Sequence, residues 1–384
     1  MPLNITKFVT PEIIFGKNAI DQVGEACLRL GAKKVLIVSD HGVINAGWLE
    51  KVITICKQSG LHYTTFHEVT TNPKDIEVDQ GVVIYRNEQC DAVIGVGGGS
   101  ALDVAKAIAI LVANGGEIHD YEGVDQILFP LPPMVMISTT AGSGSEVSQF
   151  AVIVDSKKKK KMTIVSKSLV PDIAIIDPIT LITKDRDLTA STGMDVLTHA
   201  IEAYVSVAAT PLTDVQAKNA IKLVAKYLRP SVASKTNEEA KNAMAMASLQ
   251  AGLAFSNAIL GAAHAMAHAI GGRFPMAHGD INAVILPHVM EFNLIATPKR
   301  FSTIAELMGQ DIRGLTEMEA GKKAIRQVVE LSKDIEAPQR LSEMGLTEID
   351  IETMSQIALV DACMITNPRD MTLTDVKKLF TLAL

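Results

Sequence analysis

Residues 261–280 read GAAHAMAHAIGGRFPMAHGD and place His264, His268 and His278 among alanines, glycines and methionines. Three of the chain's nine histidines fall in this stretch. His264 and His268 are four residues apart, so on a helix they share one face. His278 follows beyond Gly271, Gly272 and Pro275 and therefore belongs to another segment. A second stretch, STGMDVLTHAIEAY (residues 191–204), sets Asp195 and His199 at the same helical spacing. One carboxylate with several imidazoles suits a borderline divalent ion such as Fe²⁺ or Zn²⁺ better than Mg²⁺ or Ca²⁺. Any one of these histidines alone reads as a hydrogen-bonded core residue. Together, at ligand spacings, they read as a metal constellation. Spacing does not say which of His264 and His268 is the ligand.

Two glycine-rich turns suit a nucleotide. GVGGGSALDVAK (residues 95–106) follows an apolar strand and opens a helix. Without Cβ atoms the backbone amides can approach an anion closely, and a helix N-terminus adds a favourable dipole. STTAGSGSEVS (residues 138–148) also follows an apolar strand, and its hydroxyls and amides could line a nucleotide and substrate cleft. Asp40 ends an earlier apolar run, LIVSD. A carboxylate there can accept from a ribose 2′-hydroxyl and would repel a 2′-phosphate. It precedes the glycines, whereas the usual dinucleotide fingerprint puts the acid about 20 residues after them, and a capping aspartate would look the same.

The elements that must position these groups change character along the chain. Strands are expected at Val35–Val38, Tyr63–His67, Ala92–Ile94 and Met134–Ile137, with helices near 44–59, 75–88 and 103–112 between them. Short apolar strands alternating with helices imply a parallel sheet with crossover helices. After about residue 185 the signals are helical. Thr236 and Glu239 look like a capping box opening a long Ala/Met helix, and Pro178, Pro211, Pro230 and Pro338 fall where helices should begin or end. The expected division is an α/β domain over 1–184 and an all-helical domain over 185–384.

Composition narrows the class. The 384 residues carry 48% hydrophobic but only 4% aromatic residues, so the cores must be built from Ala, Val, Ile, Leu and Met. A net charge of −7 argues against nucleic acid, whose phosphates need a basic surface. The basic run Lys157–Lys161 reads as a solvated turn. Cys27, Cys56, Cys90 and Cys363 have no disulfide or CxxC spacing, as expected of reduced cytoplasmic thiols. No secretory leader and no bilayer-length apolar run is apparent, so no membrane partner is expected.

With these motifs in hand, the chain resembles the iron-containing, or group III, alcohol dehydrogenases along essentially its whole length. GGGSALDVAK, TTAGSGSEV, TGMDVLTHAIEAYVS, GAAHAMAHAIGGRFPMAHG with NAVILPH, and NPRDMTLTDVKKLF carry the resemblance. It implies a Rossmann-like N-terminal domain, a helical C-terminal domain and an active site in the cleft between them. It implies metal ligands at Asp195, His199, His264 and His278, with His268 handling the hydroxyl proton near the nicotinamide. It implies NAD contacts at Asp40, Asn72, Gly97, Gly98, Gly99, Ser100, Thr139, Thr140, Ser143 and Lys161. Phe150, Phe255 and Cys363 fall where the family lines its substrate pocket. Ser138 stands where proline is common and Ser143 where threonine is common. The activity implied is NAD-dependent interconversion of a small primary alcohol or diol and its aldehyde, with Fe²⁺, Zn²⁺ or another divalent ion, in a homo-oligomer.

Other readings share part of this pattern. A zinc glycerol or polyol dehydrogenase of the same superfamily would have a three-ligand site, which the fourth candidate ligand argues against. A lyase of the dehydroquinate synthase type would need several basic residues near the histidines, and Arg273 is the only close one. A non-enzymatic metal- or nucleotide-binding protein is the remaining reading.

Overall fold

The computed structural model describes residues 7–384 apart from Pro275. The first six residues and Pro275, which entered the readings of the N-terminus and of the break after His268, lie outside it. The chain divides into two compact units, one over Thr10–Lys184 and one over Asp185–Leu384 with residues 7–9.

The first unit holds strands β1 (Glu12–Phe15), β2 (Lys34–Asp40), β3 (His62–Val69), β4 (Ala92–Gly97), β5 (Gly123–Val124), β6 (Met134–Ser138), β7 (Phe150–Asp155), β8 (Lys160–Val165) and β9 (Ile173–Ile176). Its helices are α1 (Val23–Arg29), α2 (His41–Asn45), α3 (Trp48–Gln58), α4 (Asp75–Asn87) and α5 (Gly99–Asn114). Six strands form one sheet in the order β1-β9-β6-β4-β2-β3, every neighbouring pair parallel. The apolar runs read as buried strands are buried on both faces, as crossover helices require. Val35, Ile37, Ile94 and Val96 pack on one face with α1 and α3. Leu36, Val38, Val93 and Met136 pack on the other with α4 and α5.

Strand order locates the place where a ligand can bind. From β2 the chain goes outward to β3, then returns to the other side of β2 for β4. The two connections diverge at the carboxyl ends of β2 and β4, and in open α/β sheets that crevice takes the ligand. Asp40 and Gly97 are the last residues of those strands.

The second unit contains α6 (Arg186–Val205), α7 (Pro211–Ala233), α8 (Glu238–Ala258), α9 (Ala262–Gly271), α10 (His278–Asn293), α11 (Pro298–Leu307), α12 (Glu317–Asp334), α13 (Glu348–Leu359) and α14 (Leu373–Ala383). Ala262, Ala263, Ala265, Ala267 and Ala269 are all buried, so α9 is enclosed by its neighbours. Among the described residues no single helix is long and apolar enough to cross a membrane.

Several local expectations need correction. The stretch near 44–59 is two helices, because Gly47 at φ 80° ends α2 and starts α3. The cap of α8 is Asn237, whose side chain accepts from Ala240 N at 3.0 Å, so Thr236 and Glu239 form no capping box. Asparagine caps better than threonine and sits one residue nearer the helix. Pro230 lies inside the last turn of α7, where its missing N–H removes one i→i−4 hydrogen bond, and buried Ser231 and Val232 follow it in the same turn. A three-stranded sheet, β5-β8-β7, was not anticipated. Lys157–Lys159 form the turn of its β7–β8 hairpin, their start held by Asp155, which accepts from Lys157 N and Lys158 N. Lys160 and Lys161 enter β8.

Ile94, fully buried at the centre of β4, reports on the sheet's core. Ile94→Ala should lower the unfolding free energy by about 2–5 kcal/mol in denaturant titrations.

Candidate active site

The glycine turns are built by strand ends meeting. Gly97 closes β4 and Gly98 is the N-cap of α5, with no side chain capping that helix. Thr139 N donates to Gly97 O at 2.9 Å, which docks the loop after β6 onto the glycine loop. The fit is close: a Cβ on Gly97 would lie 2.6 Å from Ala101 Cβ, and one on Gly99 would lie 2.9 Å from Ser143 Cβ. Gly98 packs on Thr140 in the same way. Thr139 is fully buried, and its hydroxyl has no hydrogen-bond partner among the described residues. Gly97–Ser100, Thr139, Thr140 and Ser143 are thus brought together at the carboxyl end of the sheet.

Asp40 is the cap of α2, its Oδ1 accepting from Val43 N at 2.9 Å. Its Oδ2 lies 3.2 Å from where a Cβ on Gly97 would be, so the second oxygen faces the glycine loop. Capping and ligand recognition are therefore compatible in this one carboxylate. Asn72 follows β3, whose last residue Val69 pairs with Asp40, and Pro73 O accepts from Val154 N; Lys161 pairs with Val154 across the hairpin and acts electrostatically on Asp103 in α5. Phe150 begins β7 with its side chain buried, and its carbonyl accepts from buried Lys106.

In the helical unit α6, α9 and α10 converge. Asp195 Oδ1 lies 3.7 Å from His264 Nε2 and 3.8 Å from His278 Nε2. Donor atoms of Asp195, His199 and His264 all lie within 4.8 Å of one another. The His199 and His264 rings stack with centroids 4.4 Å apart, and Phe255 stacks on His199 at 4.4 Å. Asp195, His199 and His264 are buried, whereas the His278 side chain keeps 27% of its exposure. Close helix packing sets this geometry: a Cβ on Gly279 would lie 2.0 Å from Ser191 O, so α10 can start here only with glycine.

Electrostatics follow from burial and neighbours. Burial would raise the Asp195 carboxyl, but His199, His278 and His264 overcome it and hold it well below the usual carboxylate range. Burial would lower His264, but the neighbouring carboxylates of Asp195 and Glu202 push it up to about 9. The donor set fits a divalent ion. One amide nitrogen, Asn282 Nδ2, faces Asp195 Oδ1 at 2.8 Å and the Nε2 atoms of His264 and His278 at 3.3 Å each. With the imidazoles neutral, as metal ligation requires, a single –NH₂ cannot satisfy so many electron-pair donors, while Asn282 Oδ1 is itself buried without a hydrogen-bond partner among the described residues.

His268 has a different setting. Its ring stacks on His278 at 5.5 Å, and its Nδ1 lies 3.0 Å from Asp361 Oδ2. Asp361 is lowered despite its burial, by the charge and hydrogen bond of His268. Cys363 is fully buried, donates its backbone N–H to Asp361 Oδ1 at 2.8 Å, and has its thiol pushed well up by burial.

Three residues beside the cluster escaped the sequence reading. Glu202 stands on the same stripe of α6 as Asp195 and His199, and Asn282 is one turn after His278 on α10, so helical spacing could have found both. Asp361 carries no local signal, lying 93 residues from its partner His268.

The comparisons fit this geometry. The sequence profile of iron-containing alcohol dehydrogenases matches residues 10–178, and that of the family's C-terminal region matches residues 189–384. The chain belongs to the iron-containing alcohol dehydrogenase family. It is 45% identical to a 1,3-propanediol dehydrogenase of Klebsiella pneumoniae, over 96% of each chain. It is 42% identical to an NAD-dependent methanol dehydrogenase of Bacillus methanolicus, over 98% of this chain and 99% of that one. A solved structure of 1,3-propanediol oxidoreductase superposes with a TM-score of 0.97 at 44% identity, covering 99% of this chain and all of the other. The enzyme is thus an NAD-dependent metal alcohol dehydrogenase, and none of these relatives is named as a zinc polyol dehydrogenase.

In metal-free enzyme the His264 interactions make stability depend on pH. A folded pKa of about 9 against an ordinary 6.5 stabilises fully below about pH 6.5 and is lost as pH rises through 9. The thermal midpoint measured in chelator should therefore fall across that window, and a flat profile would show that His264 is not held in this way.

Proposed function

We propose that the enzyme interconverts a short primary alcohol or 1,3-diol and its aldehyde with NAD and Fe²⁺, and that Asp195, His199, His264 and His278 hold the ion. The observation that carries this reading is the convergence of one carboxylate and three imidazoles on a buried point that a single amide cannot satisfy. When bound, the ion supplies Lewis-acid stabilisation of the alcohol oxygen, and the nicotinamide supplies hydride chemistry. The names of relatives that act on 1,3-propanediol and methanol support a small, unbranched substrate.

The chain's own residues do the rest. Imidazole ligands must be neutral with a bare nitrogen toward the ion. Asp195 lowers the cost of placing positive charge in a buried site. His268 holds or releases the hydroxyl proton at Nε2, because the Asp361 hydrogen bond keeps the other ring proton on Nδ1. Phe255 shields His199 from water and limits substrate bulk. The amides of the glycine loop at the start of α5 offer anion contacts to a dinucleotide. Asp40 accepts from a ribose 2′-hydroxyl and disfavours NADP. We include Asn72, Lys161, Phe150 and Cys363 in the cofactor and substrate contacts on the family resemblance alone.

NADH formation by iron-loaded enzyme should appear with short primary alcohols and 1,3-diols, and no signal with any of them would overturn the reading. Two variants separate the histidines. His264→Ala should lose bound metal and activity together. His268→Ala should retain the metal and lower turnover by about 10²–10⁴-fold. Metal analysis of purified His268→Ala that found no ion would make His268 a ligand.

A further inference from the structure

Glu202 has no assigned part in the family motifs quoted above, yet it is among the most heavily used side chains at the centre. It is buried on α6 and reaches the first turn of α9. Its Oε1 accepts from Ala263 N at 2.6 Å. Its Oε2 accepts from Gly261 N at 3.1 Å, from His264 N at 3.3 Å and from His264 Nδ1 at 2.6 Å. The last contact is as short as a charge-assisted hydrogen bond gets. A carboxylate can only accept, so His264 must carry its proton on Nδ1. Nε2, the atom 3.7 Å from Asp195 Oδ1, is then the nitrogen that gives up its proton when the ring acts as a ligand.

Two neighbours preserve this arrangement. A Cβ on Gly261 would lie 2.8 Å from Glu202 Oε1 and 3.2 Å from Asn367 Oδ1, so only glycine leaves the carboxylate where it is. Asn367, from the NPR motif, accepts from Ala262 N at 3.3 Å and exchanges hydrogen bonds with Asn293 on α10. The first turn of α9 is thus clamped from both sides.

We propose that Glu202 is a positioning residue of the metal centre: it sets the tautomer and ring orientation of His264 so that Nε2 is the donor. The inference rests on the reading of His264 as a metal ligand. Outer partners of this kind typically contribute 10–100-fold to metal affinity. A glutamine at 202 cannot replace the carboxylate. Its –NH₂ must face backbone N–H groups on one side or the other, and facing His264 it would donate to Nδ1 and move the ring proton to Nε2.

The test is zinc and cobalt affinity by competition with a chromophoric chelator, anaerobically at pH 9 to limit competition from protons, on wild-type and Glu202→Gln protein. Glu202→Gln should bind about 10–100-fold more weakly and, at saturating Co²⁺, show a changed visible d–d spectrum. A helix cap alone would lower the thermal midpoint and leave both unchanged, and that outcome overturns the proposal. If wild-type protein binds no metal, the metal-centre reading falls as well; unequal failure therefore tells the two apart. Should Glu202→Gln not fold, Gly261→Ala decides on the same scale. It leaves every ligand in place and should still weaken binding several-fold, whereas unchanged affinity overturns the proposal.

Discussion

A carboxylate packed against three imidazoles in an apolar helical interior is the constraint on which the helical unit turns. Asp195 and Glu202 are both buried, and each is tolerable only because nitrogen donors and backbone amides surround it. When the imidazoles act as donors they are neutral, so the two negative charges call for a divalent cation. The small residues of α9 and the glycines at 261 and 279 follow from the same need, since any added Cβ would separate the helices that bring these groups together. Alanine in this unit is a positional requirement as much as a helix former.

The other unit answers a different need with the same economy of side chains. The central strands of its sheet are buried on both faces, so they consist largely of apolar runs and their polar groups sit at the strand ends. Asp40 closes β2 and Gly97 closes β4, and the loop after β6 docks on the glycines through a backbone hydrogen bond. The glycine loop at that edge is mostly main chain, and free amides of this kind suit an anion.

Much of this was legible because it is local. The strand runs, the glycine turns and the pairs Asp195/His199 and His264/His268 each lie within one element, where period and spacing carry meaning. What was missed depends on partners distant in sequence. Glu12–Phe15 becomes a strand by pairing with Ile173–Ile176. Asp361 matters because folding sets it beside His268. Spacing alone left His264 and His268 equivalent; folding gives them different carboxylate partners, Glu202 and Asp361. The cap of α8 failed for a local reason, two adjacent residues that both cap well, with the stronger one nearer the helix.

Ile259 ends α8 at φ 60°, a conformation that a β-branched residue rarely adopts, and there the path turns by 101° into α9. Phe255 lies just before the bend and His264 just after it, and both rings stack on His199. Strain of this kind costs on the order of 1–3 kcal/mol and persists only where surrounding contacts enforce it. The bend therefore places the fold's local optimum and the centre's optimum in opposition. Relieving the strain at Ile259 would change the angle at which the Phe255 and His264 rings meet His199. Ile259 is a place to look for the conflict between durability and turnover in relatives adapted to different temperatures.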